Sequence, residues 1–136
     1  MNWEYSCGAV VFTKKDGQLL FVIVQEQAGA YSFPKGHMEG DETEAETARR
    51  EVYEETGLSP VFIDGFYRQD EYPLAEKPGT WKKVTYFLAE YKNEELLPRE
   101  GEIRRIHLLP YEEAVCLFEH EKPRQILRDA YEFLTK

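Results

Sequence analysis

The sequence of 136 residues is short of cysteine, of positive charge and of long apolar runs, and each shortage removes a class of protein. Its two cysteines, Cys7 and Cys116, stand far apart, so they can build neither a disulfide framework nor a zinc-type spacing. Two small buried thiols in a reducing compartment are expected, with Cys116 inside an amphipathic segment. Lys and Arg number 17 against 26 Asp and Glu, for a net charge of −9. General affinity for DNA, RNA or an anionic membrane needs the opposite balance. A small phosphorylated ligand stays open, because a bound metal ion inverts the local field. No apolar run approaches the roughly 18 residues of a membrane helix. No signal-peptide pattern opens the chain, so a cytoplasmic location is expected. Internal repeats, low-complexity tracts and Ser/Gly linkers are also missing. The expectation is one domain over residues 1–136, large enough to bury a core without disulfides or a structural metal.

What is present is an ordinary globular mixture, 42% hydrophobic and 32% charged, with 14% aromatic residues. Ser6–Thr13 and Leu19–Gln25 are β-rich runs joined by Lys14-Lys15-Asp16-Gly17, whose Asp-Gly pair signals a hairpin. Gly29–Gly40 reads as a loop. Asp41 is placed to cap a helix, with Glu44 as capping-box partner and Gly57 as the stop. Pro60–Glu71 reads as a strand, Tyr72–Thr80 as a loop, and Trp81–Tyr91 as a strong strand. Asn93–Gly101 is a polar loop and Glu102–Leu109 a short strand. Pro110–Phe118 and Pro123–Leu134 read as helices, the second opened by its proline. This order lacks a regular βα alternation and predicts an α/β protein with a mixed sheet and helices on both faces.

On a helical wheel Glu51, Glu54 and Glu55 fall within one narrow arc, and Glu44 lies on the same side two turns earlier. Ala45, Ala48, Val52 and Thr56 form the neighbouring face and can pack on a sheet. Like charges at i and i+4 repel by a few tenths of a kcal/mol, so the cluster is either fully solvated or shares a cation. A solvated acidic face is the ordinary explanation for such a run. Against it stand Arg50 beside the cluster and the Pro34-Lys35-Gly36-His37 loop ahead of it. Hard oxygen ligands without Cys or His suit Mg²⁺ or Mn²⁺ rather than zinc.

Gly36, Glu42, Arg50-Glu51-Val52, Glu54-Glu55 and Gly57-Leu58 resemble the Nudix box at every defining position. Chance agreement at average residue usage is below about one in a million. The resemblance implies an α/β/α sandwich and a hydrolase that splits a pyrophosphate bond of a nucleoside diphosphate derivative with Mg²⁺, Mn²⁺ being an alternative. It makes Glu51, Glu54 and Glu55 metal carboxylates and the Gly36 carbonyl a further ligand. Arg50 would hold the carboxylates in place together with Glu42. Glu102 would add a carboxylate from a distant loop as ligand or base, with Glu100 as its rival. Two departures occur: Gly40-Asp41 stands where Pro-Gly is frequent, and Leu108 where tryptophan is frequent.

Within the family, Ser6–Phe12, Phe33–His37 and Lys83–Glu90 resemble asymmetrical diadenosine tetraphosphate hydrolases, which release ATP and AMP. That likeness implies a small nucleotide as partner, phosphate contacts from Lys35 and His37, and adenine stacking on Tyr72. Tyr86 is a further substrate contact on this reading, although its alternating strand also suits a core residue. Lys77, Lys82 and Lys83 make a small basic group that suits either a polyphosphate or solvent. The alternatives are a (deoxy)nucleoside triphosphate pyrophosphohydrolase, an RNA 5′ pyrophosphohydrolase, an inositol pyrophosphate hydrolase and, from a different class, an inactive nucleotide-sensing domain.

Overall fold

The computed structural model describes residues Met1–Lys136. Eight strands form one mixed sheet: β1 (Asn2–Lys15), β2 (Gln18–Glu26), β3 (Tyr31–Ser32), β4 (Lys35–His37), β5 (Val61–Phe62), β6 (Arg68–Pro73), β7 (Thr80–Glu90) and β8 (Ile103–Leu109). The helices are α1 (Glu44–Thr56), α2 (Tyr111–Ala114), which runs into a 3₁₀ turn over Val115–Leu117, and α3 (Glu121–Thr135). None of them is long and apolar enough to cross a membrane.

β1 is the spine. It runs antiparallel to β2 through the expected hairpin, where Asp16 and Gly17 both take positive φ. It runs parallel to β7 from Asn2–Thr80 to Phe12–Glu90 and also pairs with β4. Alternate β1 side chains enter two cores. Val10 and Phe12 join Phe21, Leu88, Phe118 and the α3 residues Ile126, Leu127 and Ala130 on one face. Ala9 and Val11 join Val22, Ala89 and the α1 residue Val52 on the other. A strand buried on both sides carries a continuous apolar run rather than an alternating one, which is what Gly8–Phe12 provides. The result is the expected α/β/α sandwich.

Several local expectations are corrected. The N-cap of α1 is Thr43, not Asp41, and its capping-box partner is Glu46, not Glu44. The strand expected over Pro60–Glu71 is split into β5 and β6 by a turn holding Gly65, whose φ is 97°. Tyr72 is in β6, paired with Lys82, not in a loop. The Gly29–Gly40 loop contains the short strands β3 and β4. α3 starts two residues before Pro123, where the first-turn N–H groups have no helical partner and a proline loses nothing. Cys116 is exposed at the 3₁₀ turn, whereas Cys7 is buried.

Candidate active site

The cleft is built where α1 crosses β4. Val52, Ala48 and Thr56 bury one side of α1 against the sheet, which turns Glu51, Glu54 and Glu55 towards the edge of β4. Gly36 leaves room there for the Glu51 carboxyl, which a Cβ at this position would displace. The resulting cleft of about 450 Å³ is lined by Gly36, His37, Glu39, Glu51, Glu54, Glu55, Lys82, Arg99 and Glu102, with no hydrophobic residue. It therefore suits a charged, hydrated ligand rather than an apolar one.

Arg50 organises the acidic side. Its Nε donates to Glu42 Oε2 at 2.6 Å and its Nη2 to Glu42 Oε1 at 2.9 Å. The same Nη2 donates to the His37 carbonyl at 2.8 Å, and Nη1 to Glu51 at 3.1 Å and Glu54 at 3.3 Å. One guanidinium thus ties α1 to the loop before it and to β4, a use of the rigid five-donor fork that lysine could not reproduce. Glu42 also accepts from the Thr47 hydroxyl and the Glu39 N–H, and with Arg50 these push its carboxyl down to about 2. It is a brace for Arg50 and does not line the cleft.

The carboxylates of α1 differ in surroundings. Glu51 is buried, and burial raises its pKa against the pull of Arg50. Glu55 is more strongly affected: burial pushes it up to about 8, although the Lys35 N–H donates to it at 3.2 Å. Glu54 faces Arg50 and also Arg99, whose Nη1 lies 3.1 Å from Glu54 Oε1. Glu44 leaves the group. It accepts from the Thr85 hydroxyl at 2.9 Å and the Tyr67 hydroxyl at 3.0 Å, fastening the start of α1 to β7.

Glu102 reaches the cleft from the end of the β7–β8 loop, exposed and 3.6 Å from Arg99. Glu100 does not line it. That loop is held to the end of α1 by bonds from the Leu97 N–H to the Thr56 carbonyl (2.7 Å) and from the Arg99 N–H to the Glu55 carbonyl (3.3 Å). Gly57 closes α1 at φ 78°, with Leu97 against its open side. Neither Arg99 nor the role of Lys82 was legible from spacing. Arg99 comes in through this loop closure, and Lys82 faces inward because, two residues apart, it shares its strand face with the buried Val84 and Tyr86. Burial and the nearby Lys35 lower the Lys82 pKa.

The residues expected to contact substrate are divided. His37 lines the cleft, with burial and Lys82 lowering its pKa. Lys35 presents its backbone to Glu55 and is half-buried beside it. Tyr72 is half-buried on the sheet face that carries Lys82, packed against the core. Burial pushes its phenol up to about 12. Tyr86 is 6% exposed and packs edge-on to Phe33, because its strand position faces the larger core.

The donors fit a hard divalent ion. Five carboxylates and the Gly36 backbone offer oxygen, and no thiol is present. As they stand, no three of the acidic or histidine side chains close around one point; Glu51 and Glu54 are turned to arginines and Glu55 to the Lys35 N–H.

The chain matches the NUDIX domain model over residues 4–130. It is 33% identical to a mouse and 32% identical to a rat bis(5′-nucleosyl)-tetraphosphatase (asymmetrical), each over 95% of this chain and 94% of the relative. Its fold superposes with a TM-score of 0.88 on a C. elegans Ap4A hydrolase binary complex, at 23% identity, covering 96% of this chain and 97% of that one. With the box residues gathered around one acidic cleft and a domain match that takes in nearly the whole sequence, the chain belongs to the Nudix family and is a Nudix hydrolase.

Proposed function

We propose that this chain, as a single domain over residues 1–136, hydrolyses diadenosine tetraphosphate to ATP and AMP with Mg²⁺ in a cytoplasmic setting. The observation that carries this reading is the end-to-end likeness to the two mammalian asymmetrical tetraphosphatases. On this reading Glu51, Glu54, Glu55, Glu102 and the Gly36 carbonyl hold Mg²⁺ or Mn²⁺. Such an ion neutralises phosphate charge and activates water for attack on phosphorus. Arg50, fixed by Glu42, keeps Glu51 and Glu54 in place for it. His37 and Lys82 line the same cleft, with Lys35 beside it, and offer positive or donor groups to the phosphate chain. Tyr72 offers an aromatic face on the adjoining sheet surface for a base. Water adds across one anhydride bond: its oxygen joins one phosphorus, and the leaving phosphate oxygen ends on the other product.

A turnover panel with Mg²⁺ and then Mn²⁺ tests the proposal. It compares diadenosine tetraphosphate, ATP, 8-oxo-dGTP, ADP-ribose and 5′-triphosphorylated RNA, with products separated by ion exchange. ATP plus AMP from the dinucleotide is the expected result. An intact dinucleotide, with monophosphate and pyrophosphate formed from a nucleoside triphosphate, would overturn the substrate and leave the cleft assignment standing.

A further inference from the structure

Two arginines reach the carboxylates of the cleft: Arg50, from the motif on α1, bonds Glu51 and Glu54 from outside it, and Arg99 lines it. Arg99 enters from the β7–β8 loop. Its Nη1 lies 3.1 Å from Glu54 Oε1 and 3.6 Å from Glu102 Oε2, so one nitrogen spans carboxylates from two separate elements. Its backbone is fixed: the N–H donates to the Glu55 carbonyl, and its own carbonyl accepts from the Glu102 and Ile103 N–H groups at 3.2 and 2.9 Å. Its side chain is 42% exposed and has no other ion pair. The cationic end is therefore free to swing about a pinned root.

We propose that Arg99 is the resident counter-cation of the metal-free cleft, one that yields Glu54 and Glu102 to a divalent ion and then holds the phosphate chain of the nucleotide. This rests on the reading of the cleft given above. Partly exposed ion pairs contribute a fraction of a kcal/mol each, so Arg99 holds these carboxylates weakly enough to be replaced. While it does so, it offsets the repulsion among five carboxylates that line one space. Once released, its planar fork stands at the rim with an anion beside it. Guanidinium donors match phosphate oxygens two at a time, giving bonds about twice as strong as neutral ones. Arg99 is thus a positioning residue before the substrate arrives and a substrate-binding residue afterwards.

The test titrates Mn²⁺ into metal-free wild type, R99A and R99K by calorimetry, without nucleotide. Steady-state kinetics on the nucleotide turned over in the panel follow. R99A is expected to bind Mn²⁺ about three- to ten-fold more tightly, since a competitor is removed. Its KM is expected to rise about ten-fold with kcat little changed. R99K should restore wild-type Mn²⁺ affinity and recover only part of KM. Loss of structure would weaken metal binding, which is the opposite sign. R99A with unchanged or weaker Mn²⁺ affinity, or with unchanged KM, overturns the role of Arg99 while the cleft assignment stands. A wild-type chain that binds no Mn²⁺ overturns the reading of the cleft and the role of Arg99 with it. If R99A does not fold, R99Q takes its place on the same criteria.

Discussion

Glu55 lies where burial opposes ionisation. Folded, it keeps its proton to about pH 8; unfolded, it releases it near the ordinary 4.5. Between those values the folded chain binds more protons than the unfolded one, so the stability of metal-free protein falls as pH rises. Glu51 is shifted in the same direction and steepens the slope. Urea midpoints taken with a chelator at about pH 5 and about pH 8 should show the decline, and Glu55→Gln should flatten it. The same variant should lose most of the turnover with a normal circular dichroism spectrum, because one proposed metal oxygen goes and no core volume changes. Near-normal turnover by Glu55→Gln would remove it from the metal site. The cysteines give a simpler test. Burial pushes the Cys7 thiol up to about 12, and Cys116 is exposed, so a disulfide reagent should titrate one thiol in the native protein and two in denaturant. The identity of the acidic residues was legible because the box is local in sequence. The exposure of Cys116 was not, since amphipathic spacing fails where a helix of four residues gives way to a 3₁₀ turn.

Elements read well where one signal stood alone. The Asp16-Gly17 turn had no competitor, and the β1–β2 hairpin follows it. The start of α1 was expected at Asp41 with Glu44, and the structure puts it two residues later, at Thr43 with Glu46, which satisfies the same capping pattern. The structure decides through Glu44, which Thr85 and Tyr67 draw towards β7 and so withhold from capping. Thr43→Ala should therefore cost about 1 kcal/mol, while Asp41→Ala should cost little, both measured by urea denaturation. Pro73 made Tyr72 look like loop, yet proline is tolerated at a strand end. At the other end of α1, Gly57→Ala should cost about 1–2 kcal/mol for the left-handed conformation, and more through contact with Leu97. Because the loop that carries Arg99 is bonded to that helix end, the variant should also weaken nucleotide turnover. Gly17→Ala, at the same φ but with nothing near its Cβ, should lose stability alone.

At the scale of the molecule, the layers followed from patterning and the cleft did not. Two cores on opposite faces of β1 could be anticipated from a strand that is apolar without alternation. The cleft, however, joins residues 36, 37, 39, 51, 54, 55, 82, 99 and 102, and their meeting depends on loop closures that leave no periodic trace. One consequence concerns synthesis. β1 is made well before its parallel partner β7, which covers its edge from Asn2 to Phe12 and ends at Glu90. Until that point is made, this edge of β1 is uncovered, since β4 and the hairpin strand β2 pair with its other edge. Pairing at such separation is slow and leaves aggregation-prone intermediates, so a chain cut before Thr80 should aggregate where the full chain does not, as light scattering on refolding would check.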